Sequence, residues 1–411
     1  MKTDLDALMQ ANQLDALLVT GPGQHNPGMV YLTGGGHMTS ADLIKVRGKE
    51  AVLFCNPMER EEAARTGLQT KNLAEYKLNE LQKEAGGDLM KATARRYKLM
   101  LSELGITRGR VALYGRSEVG TSFAIFSALQ QELPELTLVG EGGNSVLMQA
   151  MGTKDSAEIE RIRRMGQITT AVVGETAEFL SSHAVKDGML VKSDGQPLTI
   201  GEVKGQINLW LAARGADNPE GTIFAIGRDA AIPHSTGTAS DALRLGQTIV
   251  YDIFPCEAGG GYYYDFTRTW CLGYAPDAVQ ALYQDVLDVY QQVSAAMTAG
   301  TACPVYQKMT CELFEAKGHP TIHSNPATQS GYVHSLGHGL GLRVHERPWF
   351  GATADEADRL TPGAVFTIEP GLYYPDKGMG VRLENSAWVR PDGLIEVLAP
   401  YPFDLVLPVR G

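Results

Sequence analysis

Four carboxylates sit in stretches of this chain that otherwise read as buried β-strand. They are Asp252 in QTIVYDIFPC, Asp265 in GYYYDFTRTW, Glu369 in AVFTIEPGLYY and Glu384 in GVRLENSAWVR. Each stretch is short, rich in β-branched and aromatic residues, and bounded by Gly, Pro or Asp, which is the pattern of a strand. An acid within such a strand loses its hydration on folding and then requires a proton or a cation. A lone strand acid is readily explained by turning it to solvent. Four of them, clustered in two strand pairs, restrict the fold to one that gathers them and neutralises them.

Spacing sharpens this. Asp252 and Asp265 stand 13 apart, and Glu369 and Glu384 stand 15 apart. Residues that face each other across a hairpin with a two-residue turn differ by an odd number. Centring the first turn on Ala258-Gly259 predicts Asp252 directly opposite Asp265, on one sheet face, with Cβ atoms about 5 Å apart. Bare carboxylates that close repel each other. Two divalent cations would balance all four.

The stretch VHSLGHGLGLRVHE adds three of the nine histidines, His334, His338 and His345. His334 and His338 have the spacing of the H-E-x-x-H zinc helix, but no Glu follows His334. Gly337, Gly339 and Gly341 also disfavour a helix. The expectation is a glycine-flanked strand histidine that joins the acids. One histidine among several carboxylates favours manganese, cobalt or iron over an all-nitrogen and sulfur zinc site, while still admitting zinc. A two-cation clamp of this kind activates water and polarises a carbonyl, which is hydrolytic chemistry.

The net charge of −11 is unevenly distributed: residues 1–150 hold 16 Lys+Arg against 17 Asp+Glu, and residues 151–411 hold 20 against 30. An acidic second part disfavours nucleic acid and anionic membranes as partners. Five cysteines without a C-x-x-C pair read as reduced thiols. The start MKTDLDALMQ has no apolar targeting core, and no run reaches the length of a membrane span. A soluble, cytoplasmic protein is expected.

Residues 1–150 alternate strands (LDALLVTGPG, VYLTGGG, DLIKVRGKEAVLFCNP, RVALYG) with helices (LMKATARRYKLMLSELG, TSFAIFSALQQEL), predicting an α/β domain. A boundary is expected around EGGNSVLMQAMGTKDS. Residues 151–411 open with a long helix from Ser156 and turn to strands after about Ala213, predicting an α+β domain. No G-x-S-x-G and no GK[ST] phosphate loop occurs.

The stretches KDSAEIERIR, GRDAAIPHSTG, DIFPCEAGGGYYYDFTRTW, HSLGHGLGLRVHERP, FTIEPGLYYP and GVRLEN, in this order, resemble the pita-bread metallopeptidases. That group holds aminopeptidase P, prolidase, methionine aminopeptidase and creatinase. The N-terminal stretches look like the smaller α/β domain of the creatinase/prolidase branch. The resemblance implies an α+β pita-bread catalytic domain over residues 151–411, preceded by a creatinase-type α/β domain over residues 1–150. It implies two divalent metal ions, manganese first and cobalt, iron or zinc as alternatives. Asp252 would bind one metal, Asp265 and Glu384 would bridge both, and His338 and Glu369 would complete the second.

By the same resemblance His345 would touch substrate or steady a tetrahedral intermediate, and His234 would assist proton transfer or substrate binding. Glu369 would also serve as a general base. Arg382 would orient Glu384, or form an ordinary ion pair. His334 would line the pocket or act structurally. Arg347 stands near the place where compact prolidases hold a substrate carboxylate. Trp349 and Phe350 would wall a proline ring or pack the core. The implied activity is hydrolysis of an Xaa-Pro bond, in a small peptide with proline second, by a hydroxide shared between the metals. A homodimer is expected from the family. The two aspartates stand two residues further apart than is usual there, an even insertion that keeps both on one face.

Rival readings are a non-peptide substrate on the same site, as in organophosphate-hydrolysing or lyase relatives, and metal-free creatinase chemistry or a non-catalytic binding module. The complete ligand set argues against the last two.

Overall fold

The computed structural model describes residues 4–410, so the first three residues of the MKTDLDALMQ start lie outside the described residues. The chain forms two compact units. One comprises the described residues up to Met151 together with Gly259–Gly261, and the other comprises Gly152–Ala258 and the residues from Tyr262 onward.

The first unit is built on a six-stranded mixed sheet. Its order is Gln69–Asn72, Val52–Cys55, Ala41–Val46, Ala16–Gly21, Gly109–Gly115 and Leu136–Val139. The helices Leu89–Glu103 and Val119–Glu132 supply Tyr97, Met100, Leu101 and Leu129 to its core, against Leu18, Ile44, Phe54 and Val111. Asp88 caps the first helix by accepting from the Met90 and Lys91 amides.

VYLTGGG is not the strand its β-branched run predicts. Val30–Thr33 end a short helix, Pro27–Thr33. Pro27 enters at the first turn, where its missing N–H costs nothing, and Gly34 at φ +82 closes the helix in the left-handed region. These end signals outweigh propensity over so few residues.

The second unit opens with the helix Ser156–Ser182, started by a capping box between Asp155 and Glu158. The helix Ile200–Ala213 follows, begun by the same device between Thr199 and Glu202. Two sheets come next. One runs Thr222–Ile226, Thr248–Ile253, Phe266–Leu272 and Val406–Leu407. The other runs Glu346–Trp349, His338–Gly339, Val365–Ile368, Asn385–Val389 and Ile395–Val397. The helices Asp277–Ala296 and Cys303–Ala316 cover the second sheet, packing Val286, Val293 and Phe314 on Phe366, Ala387 and Val389.

Register in both hairpins decides where the acids point. In the first, Asp252 pairs with Thr267, not with Asp265. The same register continues through Cys256 opposite Tyr263 to a turn centred on Gly259-Gly260. Those glycines hold φ +86 and +80, as a two-residue hairpin turn of type I′ demands at both central positions. Ala258 cannot take that role cheaply, so the turn lies one residue beyond the expected place. Asp265 consequently sits diagonally from Asp252 on the same face, which leaves more room between the carboxylates. In the second hairpin the pairs Ile368–Asn385 and Gly371–Arg382 share one register, so Glu369 and Glu384 occupy facing positions between them.

Arg268 fastens the two sheets where they meet. It is fully buried, and its guanidinium donates to the carbonyls of Glu384 (2.7 Å), Tyr401 (2.7 Å) and Pro402 (2.8 Å). Phe266 and Phe403 flank it at 4.2 Å. Burial pulls its pKa down to about 10, yet the acceptors and ring faces keep the charge satisfied. The backbone that carries Glu384 is therefore held directly by a buried cation.

Candidate metal centre

His338 begins from glycines. A Cβ on Gly337 would stand 2.1 Å from the Thr367 carbonyl oxygen, and one on Gly339 would stand 1.9 Å from the Arg347 carbonyl oxygen. His338 thus rides a strand squeezed between two neighbours, where only glycine fits on either side. Its Nδ1 lies 3.0 Å from the Gly339 carbonyl, which favours a proton there and leaves Nε2 to meet the acids or a cation.

That Nε2 faces the acids, 3.3 Å from Glu369 Oε1 and 3.6 Å from Asp265 Oδ2. Candidate ligand atoms of Asp265, His338 and Glu384 all lie within 4.8 Å of one another. Asp265 and Glu384 are 4% and 1% exposed. Thr267, two residues after Asp265 and so on the same face, donates its hydroxyl to Glu384 Oε2 at 2.7 Å. Thr367 does the same for Glu369 (3.2 Å) and accepts from the His338 amide (3.1 Å).

Without a cation this cluster is electrostatically unsettled. Burial, then repulsion from neighbouring acids, raises Asp265 and Glu384 well above the carboxylate range. Burial raises Asp252 as well, although Arg382 opposes the rise. Burial also disfavours charge on Glu369 and His338, but their mutual hydrogen bond wins, holding Glu369 near 2 and His338 near 9. Two buried oxygens, Asp252 Oδ1 and Asp265 Oδ1, have no hydrogen-bond partner in the protein. Orphaned carboxyl oxygens beside an imidazole nitrogen form a donor set that fits hard or borderline divalent cations.

Arg382 is placed differently from expectation. Its guanidinium reaches Asp252 Oδ2 (2.5 Å), not Glu384, which Thr267 holds instead. The strand register turns Arg382 toward the neighbouring strand Thr248–Ile253, where Asp252 lies. It also donates to the Tyr373 hydroxyl (2.8 Å) and to the carbonyl of Pro233 (3.2 Å), the residue before His234.

Tyr373 continues the chain to His334 Nε2 (2.9 Å), whose Nδ1 meets the Ser335 carbonyl (2.7 Å). With Arg382 donating to Tyr373, the Tyr373 hydroxyl donates onward and His334 is the neutral acceptor. Burial accordingly lowers its pKa to about 4. His334 therefore braces the wall.

One cavity of about 420 Å³ gathers Asp252, Asp265, His338, Glu369, Glu384, His234, His345, His334 and Arg382. The His345 ring lies 4.3 Å from that of His338. Trp349 lines the cavity, whereas Phe350 is buried against Phe366 in the core. Arg347 does not line the cavity. It is drawn away by Asp355 (2.9 Å) and Asp358 (3.4 Å), carboxylates that outcompete the pocket for its charge.

Sequence reading missed Thr267, Thr367 and Tyr373. For the two threonines the signal was alternation: Thr267 lies two past Asp265 and Thr367 two before Glu369, each on its acid's own face.

The chain is similar to known proteins along most of its length. Residues 160–391 match metallopeptidase family M24, and residues 3–143 match the creatinase/prolidase N-terminal domain. An uncharacterized peptidase of Bacillus subtilis is 27% identical over 92% of each chain. An Xaa-Pro dipeptidase of Pyrococcus horikoshii is 25% identical over 94% of this chain and 93% of its own. The solved X-Pro aminopeptidase of Thermotoga maritima superposes with a TM-score of 0.72 at 23% identity, covering 95% of this chain and 97% of that one. The fold is thus the expected pita-bread catalytic domain with a creatinase-type N-terminal domain, and family membership implies divalent metal ions. The chain belongs to metallopeptidase family M24, in the metal-dependent peptidase group that includes aminopeptidase P and the prolidases.

Proposed function

We propose that this protein hydrolyses the Xaa-Pro bond of small peptides with proline at the second position, using two divalent ions, manganese first. The observation that carries the reading is the buried cluster of Asp265, His338 and Glu384, with carboxyl oxygens of Asp252 and Asp265 left without protein partners. Asp252, Asp265, His338, Glu369 and Glu384 would hold the ions, residues 151–411 being the catalytic domain and 1–150 the N-terminal one. When bound, the ions would supply an activated water and a polarised scissile carbonyl. The Xaa-Pro relatives support the substrate class.

The chain's own residues divide the remaining work. Glu369 accepts the proton released as water attacks the carbonyl carbon. The same carboxyl then passes that proton to the proline nitrogen as the C–N bond breaks. His345 and His234 line the opening of the cavity and offer ring N–H groups to the substrate's carbonyl oxygens. Arg382 opposes protonation of Asp252 and fixes its rotamer. Trp349 and Val344 present apolar surface suited to a proline ring. A cytoplasmic homodimer accords with this role.

The test is hydrolysis of Ala-Pro and Ala-Pro-Ala side by side, with chelator-stripped protein and with added Mn²⁺. Metal-dependent cleavage of the dipeptide alone defines a prolidase, and cleavage of the tripeptide defines an aminopeptidase P. Cleavage of neither by metal-loaded protein would overturn the peptide reading and bring a non-peptide substrate, as in organophosphate-hydrolysing or lyase relatives, to the front.

A further inference from the structure

A second buried charge pair stands beside the cavity without lining it. Lys154 Nζ meets Glu346 Oε2 at 3.0 Å, across 192 residues of sequence, with side chains 1% and 0% exposed. Lys154 lies just before the helix Ser156–Ser182, and its amide is fixed on the Gly363 carbonyl (2.8 Å). Glu346 opens the strand Glu346–Trp349 and directly follows His345.

A buried pair of this kind contributes little net stability, because both ions lose hydration. Its value lies in fixing geometry. The loop from Leu340 to His345 leaves the strand of His338 and returns at Glu346. Two hydrogen bonds close it: Gly341 N to the Arg343 carbonyl (3.1 Å), and Arg343 N to Glu346 Oε1 (3.0 Å). One Glu346 oxygen thus holds the loop while the other is anchored by Lys154. The pair is packed tightly onto the loop, since a Cβ on Gly341 would stand 2.4 Å from Glu346 Oε2 and 2.8 Å from Lys154 Cε. His345 itself is open to the cavity and gains little fixation from packing.

We infer that Lys154 and Glu346 are positioning residues for His345: the pair sets the loop so that the His345 ring stays 4.3 Å from His338, facing the reacting carbonyl. This rests on the role proposed for His345. Glu346 is a rigid arm and Lys154 its anchor on a separate element, so neither needs to touch substrate. A small rotation at residue 346 swings the preceding ring out of reach, and misplacement by about 1 Å can cost about 10²-fold in rate.

The test uses the full chain, in which Lys154→Met/Glu346→Leu removes both charges and so leaves no unpaired ion in the core. The expected result is a kcat lowered 10-fold or more, KM within 2-fold of wild type, and unchanged bound metal. In the His345→Ala background the same pair of substitutions should cost nothing further. A wild-type kcat, or a loss that multiplies onto that of His345→Ala, would overturn the inference. Should the double variant not fold, Lys154→Met/Glu346→Gln, which likewise leaves no unpaired ion, carries the same expectation and the same refutation.

Nitrogen-15 histidine spectra of the zinc-loaded protein provide a readout independent of turnover. The His345 ring signal, identified by its loss in His345→Ala, should move in the variant while that of His334 stays. An unmoved His345 signal would sink the proposal even if the enzyme is active. A moved one upholds the positioning even if no Xaa-Pro peptide is cleaved.

Discussion

Each unit of this protein buries acids on strands, but two of those that line the cavity of the second do not complete their pairing. In the first unit Asp42 is 4% exposed and accepts from the Tyr97 hydroxyl at 2.7 Å, with Arg96 at 3.8 Å. Lys45, 3% exposed, donates to Asp6 (2.6 Å) and to the carbonyls of Val46 and Lys49. In the second unit Asp252 and Asp265 each keep a buried oxygen with no partner. The Asp42 carboxylate is met by protein groups and serves the fold. The arrangement in the second unit is left unfinished and is stabilised only by something brought from outside. Removing a carboxylate should therefore have opposite consequences in the two places.

The largest contrast is expected at Asp265. Asp265→Asn should lower peptide hydrolysis by well over about 10²-fold, more than loss of an outer partner of a metal ligand costs. The same substitution should leave the chelator-stripped protein as stable as wild type or more so, because it deletes a buried carboxyl whose ionised form burial and the neighbouring acids oppose. Thermal unfolding with and without chelator reads the second effect. A stripped variant melting far below wild type would show that Asp265 has a structural partner after all.

Next in size is the effect of the metal on stability. Ions that bind the native state alone should stabilise it by about 4 kcal/mol when present at about 1,000 times their dissociation constant. The melting temperature should then depend on metal concentration, and Asp265→Asn should blunt that dependence. The pH response follows from the same groups. Asp252, Asp265 and Glu384 have folded pKa values above their unfolded ones, as does His338 at about 9. Each binds more protons folded than unfolded, so its contribution is full at low pH and lost as pH rises. Stripped protein should lose stability from pH 7 to pH 9, above the range in which His334 and His345, held near 4 when folded, act in the opposite sense. Metal-loaded protein should not, since metal binding favours the deprotonated ligands. A stripped protein that gains stability over that range would contradict the picture.

Much of this site was legible because strands impose a period of two. Parity alone put Asp252 with Asp265, and Glu369 with Glu384, on common faces, and it survived the error in the turn. The turn itself was misplaced because Ala258-Gly259 and Gly259-Gly260 differ only in which backbone tolerates positive φ twice. The partner of Arg382 was not legible. Its alternation with Glu384 suggested a neighbour along the strand, whereas the guanidinium reaches across to Asp252. Nor could spacing reveal Lys154 with Glu346, since no local period links residues so far apart. In the first unit VYLTGGG misled because propensity over a few residues is weaker than a Pro and a Gly at the helix ends. What a period or a cap encodes is readable, and what long side chains reach for across the fold is not.

The smallest effect sharpens the comparison from the finished side. Tyr97→Phe removes the hydroxyl that serves Asp42 at 2.7 Å and Thr20 at 3.2 Å. Asp42 is then left buried with only the longer Arg96 contact, so a loss of about 1–3 kcal/mol is expected, the cost of an unsatisfied buried acceptor. The loss should be the same in chelator-stripped and metal-loaded protein, because Tyr97 and Asp42 share no partner with the cavity residues. Denaturant unfolding under both conditions measures this, and Ala-Pro hydrolysis by the folded variant should match wild type. A loss that appears only in the metal-loaded state would mean that the two charge clusters are coupled, and that the first unit is tuned to the site as well as to its own fold.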